Sequence, residues 1–168
     1  MEIIGIDPGQ SGAFVFLRET GDMASLVMPL NESKEIDFER VREILKPHIN
    51  ATIYLERAIP MAMGSKHAFN YGRGFAALEI AIRLSGLAVV YVEPTKWAKV
   101  MHEGISSDLK PKAKSLIAVK RLFPALVGSI PASKTGKLHE GIIDALLIAG
   151  FGLRERGGNR TTVSINDF

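Results

Sequence analysis

No cysteine occurs in this chain, which excludes a disulfide framework, thiolate metal ligands and a cysteine nucleophile. No apolar run approaches the ~20 residues that a membrane-crossing helix needs. The start also lacks the basic flank, apolar stretch and small-residue cleavage site of a secretory leader. A cytoplasmic protein with no membrane partner is the expectation. Repeats and low-complexity segments are absent as well. With 46% hydrophobic and 23% charged residues, the balance is that of a globular chain, not a disordered one. The 168 residues suit a single domain with a sizeable core. It is expected over residues 1–156, with residues 157–168 as a loose tail.

What charge there is lies unevenly. Residues 1–65 are more acidic than basic. Between Lys96 and Lys137 the bases Lys96, Lys99, Lys110, Lys112, Lys114, Lys120, Arg121, Lys134 and Lys137 meet only Glu103 and Asp108. Bases gathered in one region suggest a polyanion footprint, although a solvated lysine-rich helix face has the same composition.

The hydrophobic pattern predicts strands at Glu2–Ile6, Ala13–Arg18 and Ser25–Met28, linked by glycine-bearing turns, and hence an antiparallel meander. A helix from Glu35 to Leu45 and a strand from Ala51 to Glu56 follow, the strand parallel to an earlier one. An irregular stretch is expected from Arg57 to Arg73, including Met61 and Met63. Beyond it come a helix at Phe75–Leu84, a strand at Leu87–Val92 and a short helix around Trp97. Pro111 opens a helix reaching Phe123. Residues 125–137 read as a loop, and a last helix runs from Leu138 to Arg156. The whole is α/β, a mixed five-stranded sheet flanked by helices, with a three-strand antiparallel meander and two parallel strands.

Four carboxylates close hydrophobic elements in this pattern. Asp7 ends the first strand and Glu56 the fourth. Glu140 and Asp144, four residues apart, share a face at the start of the last helix. Like charges at that spacing oppose each other, so the pair needs a compensating partner, and a divalent cation supplies it. Such a set is the signature of a metal-dependent phosphodiesterase, because two cations held by carboxylates can relieve charge on both the attacking and the leaving oxygen. Oxygen donors without cysteine suit Mg²⁺. Taken singly, each acid has a plainer reading: a turn aspartate in Asp-Pro-Gly, a strand-end charge, or acids at a helix start.

The segments Ile4-Gly5-Ile6-Asp7-Pro8-Gly9, Tyr91-Val92-Glu93-Pro94-Thr95-Lys96-Trp97 and His139-Glu140-Gly141-Ile142-Ile143-Asp144-Ala145-Leu146, with Glu56 and Lys112 in their order, resemble the RuvC-type Holliday junction resolvases of the ribonuclease H-like superfamily. The resemblance covers residues 2–154 and is closer to the phage and organelle branch than to the bacterial one. It departs at Glu140, where relatives with this spacing usually carry aspartate. Bacterial enzymes place their third ligand where this chain has Gly141. The resemblance implies a homodimeric endodeoxyribonuclease that resolves four-way DNA junctions by paired nicks with 5′-phosphate ends, working in a bacterial or infected-cell cytoplasm. It implies Mg²⁺, replaceable by Mn²⁺, two per site, on Asp7, Glu56, Glu140 and Asp144.

Around that set, Lys112 can neutralise a phosphate or be a solvated first-turn lysine. His139 can polarise a water or only form hydrogen bonds. Branched DNA would be held by Lys66, Arg73, Lys96, Lys110, Lys114 and Lys137, with Phe69 or Tyr71 stacking on bases; core packing is the other reading of Phe69. Ala76, Ala77, Ile80, Ala81 and Leu84 are small and apolar enough to pack against a second copy. Three rivals share parts of the pattern. A ribonuclease H-like nuclease acting on other branched DNA or on RNA/DNA would use the same metal site. A junction-binding protein without activity has no use for the carboxylates. A nucleotide-binding lobe of the actin and sugar-kinase type shares Asp7–Gly12, but it needs a second lobe.

Overall fold

The computed structural model describes residues 1–57 and 64–157; the side chains of Lys66 and His67 fall outside it, as do Met61, Met63 and the expected tail. Five strands form one sheet: β1 (Glu2–Asp7), β2 (Ala13–Arg18), β3 (Met23–Val27), β4 (Thr52–Glu56) and β5 (Ala88–Val92), in the spatial order β3-β2-β1-β4-β5. The first three pair antiparallel, and β4 and β5 add parallel to β1. The meander and the two parallel strands are therefore as expected.

Helices cover both faces, so the central strands are apolar on both sides. Ile4, Ile6, Ile53 and Leu55 point to the face covered by α1 (Phe38–Leu45) and α2 (Ser65–Ser85), where Val41, Leu45, Leu78 and Ile82 are buried. Ile3, Tyr54 and Val92 point to the other face, under α3 (Pro94–Met101), α4 (Pro111–Leu122) and α5 (Glu140–Gly157). Helix α5 is buried from Ile142 to Gly152 apart from Asp144. It lies against β1, β2 and β4 at the centre of the molecule.

Several boundaries differ from expectation. Helix α1 begins at Phe38 because Asp37 caps it, accepting the Arg40 N–H at 2.9 Å. The stretch expected to be irregular before Phe75 is largely helical, since α2 starts at Ser65. Gly72 and Gly74 disfavour a helix there by intrinsic propensity. Gly74, however, lies against the Ile36 side chain, where an added Cβ would come within 3.3 Å. Tertiary packing offsets the weak local propensity. The loop after Phe123 contains a 3₁₀ turn, Pro124–Ser129.

Candidate active site

Strand alternation decides which carboxylates can meet. Ile3 and Gly5 share a face of β1, so Asp7 shares it too; Tyr54 and Glu56 share the same face of β4. The parallel register pairs Gly5 with Tyr54 and Ile6 with Leu55. Asp7 and Glu56 follow as neighbours at the C-terminal edge of the sheet, both on the α5 side.

Two glycines bring α5 to that edge. A Cβ at Gly5 would lie 2.1 Å from the Ala145 carbonyl oxygen and 2.5 Å from the Ala149 nitrogen, so the helix backbone rests directly on β1. A Cβ at Gly141 would lie 2.4 Å from the Ser11 carbonyl oxygen, so the first turn of α5 rests on the turn that follows Asp7. That turn is itself tight: the Gly12 N–H donates to the Gly9 carbonyl at 2.8 Å, and Asp7 Oδ1 accepts the Gly9 N–H at 3.3 Å. Asp144 precedes Ala145, the residue seated on Gly5, and is thereby placed over the strand ends. Gly141 cannot carry a ligand in this packing, and the first acid of α5 sits one residue earlier, at Glu140.

Burial dominates the electrostatics. It raises the Asp7 carboxyl above its usual range, with the Gly9 N–H opposing. It raises Glu56 to about 7, against the Trp97 hydrogen bond, with the charges of Asp7 and Asp144 adding to the rise. Asp144 is pushed up to about 6, again first by burial, with the Ser115 hydroxyl opposing and the charges of Asp7 and Glu140 adding. These acids therefore sense one another. Glu140 is different. Lys112 and Lys137 both pair with it, Lys137 at 2.6 Å, and hold its carboxyl below the usual range. Among the described residues no three His, Asp or Glu side chains form a ready-made metal cage.

The remaining expected residues lie at varied distances from this rim. Lys112 stands in the first turn of α4 and reaches Glu140. His139 caps α5: its Nδ1 accepts the Ile142 N–H at 3.3 Å. Lys110 and Lys114 flank Lys112 along the start of α4. Lys96 instead pairs with Glu155 at 2.7 Å and covers the Phe151 ring. Phe69 is 64% exposed on α2, with Arg73 over its ring and bound to Glu35 at 2.5 Å. Tyr71 stacks on Phe75. A groove of about 400 Å³ beside the start of α5 is lined by Ser11, Ser133, Lys137, His139 and Glu140, among others.

Three residues at the site were not singled out from the sequence. Trp97 Nε1 donates to Glu56 Oε2 at 2.7 Å. Ser115 acts on Asp144, lowering its carboxyl against burial, and its Oγ lies 3.3 Å from His102 Nε2. The available signal was the lone tryptophan: a buried indole N–H needs an acceptor.

Comparison with solved structures gives the fold. The structure of T. thermophilus RuvC in complex with a Holliday junction substrate matches with a TM-score of 0.60 over 92% of this chain and 96% of that one, at 17% identity. The fold is that of RuvC. A second Thermus thermophilus RuvC structure matches with a TM-score of 0.59, over 93% of this chain and 97% of that one, at 16% identity. The mixed sheet and its flanking helices are thus the ribonuclease H-like architecture seen in RuvC. No protein-family model and no curated protein matches the chain. Among the described residues no helix is long and apolar enough to cross a membrane.

Proposed function

We propose that the chain is a metal-dependent endonuclease that cuts four-way DNA junctions by paired hydrolysis of phosphodiester bonds, leaving 5′-phosphate ends. The observation that carries this reading is three half-buried carboxylates, Asp7, Glu56 and Asp144, gathered on one rim with desolvation as the main influence on each. Such a set is costly to ionise without a cation. Its donors are all oxygen, as Mg²⁺ or Mn²⁺ prefers. The acids share a rim without forming a closed cage among the described residues, and a cation held there would offset the charge that desolvation penalises.

Asp7, Glu56 and Asp144 would hold the metal, with Glu140 joining once released from its lysines. A pair of bound metals would activate water and relieve charge on the leaving oxygen. The protein supplies the rest. Lys112 and Lys137, freed from Glu140, neutralise the phosphate beside the rim. Lys110 and Lys114 extend a cationic path along the start of α4. His139 fixes the first turn of α5 and so the place of Glu140. Exposed Phe69 offers a stacking face to a base at the branch point.

A junction has two equivalent strands to cut, which suits a two-fold dimer. Of the positions expected to meet a second copy, Ala76, Ile80 and Leu84 lie exposed along one side of α2 and supply an apolar face for it, whereas Ala81 is buried in the core.

The test is cleavage of a labelled immobile four-way junction beside matched duplex, with Mg²⁺ or EDTA, for the natural chain and Asp7→Asn. Symmetric nicks confined to the junction and lost with EDTA and in the variant are expected. Absence of both binding and cutting would overturn the proposal.

A further inference from the structure

Behind the carboxylate rim runs a buried path of polar groups spanning β4, α3, α4 and α5. Trp97, only 5% exposed, commits its single N–H to Glu56 Oε2, while Oε1 has no hydrogen-bond partner among the described residues. The indole meets the His102 ring edge-on, with centroids 5.6 Å apart. His102 Nε2 in turn lies 3.3 Å from the hydroxyl of Ser115, which is 4% exposed, and Ser115 is near enough to Asp144 to lower its carboxyl. Two of the acids on the rim are thus joined through one another's supports.

We infer that Trp97 and Ser115 are positioning residues: each ties down one carboxylate, Glu56 and Asp144 respectively, so that an uncommitted oxygen remains for a divalent cation, and His102 braces both. The inference rests on the metal-dependent reading proposed above. A tryptophan N–H can only donate. Bound to one oxygen of Glu56, it fixes the side chain's rotation without competing for the other oxygen. A backbone carbonyl would satisfy the indole equally well if its role were packing alone. Groups that orient ligands from behind in this way typically change metal affinity 10–100-fold when removed.

The experiment is calorimetric titration of Mn²⁺ into the metal-free protein, without DNA, for the natural chain, Trp97→Phe and Ser115→Ala. Circular dichroism checks the fold of each. Phenylalanine keeps the aromatic bulk and loses the N–H. Each variant is expected to bind Mn²⁺ about ten-fold more weakly, and to gain correspondingly less in melting temperature when Mn²⁺ is added. A structural role alone would lower the melting temperature in EDTA and leave the affinity unchanged. Natural affinity in a folded Trp97→Phe overturns the Glu56 half of the inference, and in a folded Ser115→Ala the Asp144 half. If Trp97→Phe does not fold, Trp97→Leu, which also lacks the N–H, tests the Glu56 half in its place. A natural chain that binds no Mn²⁺ at all sinks the metal reading itself, and this inference with it.

Discussion

Glu56 and Asp144 shape how the molecule responds to acid. In the unfolded chain their carboxyls titrate near the ordinary values of 4.5 and 3.8, and in the fold near about 7 and about 6. Between those limits the folded state binds more protons than the unfolded one, so stability falls as pH rises through the window. The melting temperature of the metal-free protein is expected to decline from about pH 4 to about pH 7. Glu56→Gln should flatten that decline and melt higher than the natural chain at pH 8, while abolishing cleavage. Cleavage itself needs ionised ligands and should rise with pH, the rise moving to lower pH as more Mg²⁺ is added, because the cation competes with the proton. Asp7→Asn is expected to lower the rate by roughly 10²–10³-fold, as losses of an electrostatic contact at the reacting centre do. Single-turnover assays on a junction, read against pH, check both.

At the scale of elements, the site depends on how closely α5 can lie on β1. A methyl group at Gly5 would push into the backbone of Ala145 and Ala149, which cannot yield as a side-chain tip can. Gly5→Ala is therefore expected to cost at least about 1–3 kcal/mol, the usual range for overpacking, as measured by urea unfolding. The same contacts explain what could be read from the sequence. Strands β1 and β4 announce themselves through unbroken apolar runs that end in an acid, and the start of α5 through Glu140 and Asp144 ahead of an apolar stretch. The Trp97–Glu56 bond and the approach of Ser115 to Asp144 were not legible, because they join residues far apart in sequence and exist only once the chain has folded. The early start of α2 was hidden for a related reason. Gly74 reads as a breaker locally, but it is a clearance for Ile36 in the fold.

For the whole molecule, charge and shape predict separate behaviours. Binding through the lysines of α4 should weaken steeply with salt, and replacing Lys110 or Lys114 by alanine should reduce the slope of log affinity against log salt by about 1 each. Fluorescence anisotropy on a junction across a salt series measures it. The apolar side of α2 should hold two copies together, so Ile80→Asp with Leu84→Asp is expected to shift the protein from dimer to monomer in analytical ultracentrifugation.

The seam between Gly5 and Ala145 also has a consequence for biosynthesis. A ribosome delivers β1 first and α5 last of the described elements, so Asp7 emerges long before Asp144 exists to face it. Contacts between such distant segments form late. On the function proposed here, a nascent or stalled chain therefore has no cutting centre, and DNA near its site of synthesis meets none until α5 has docked.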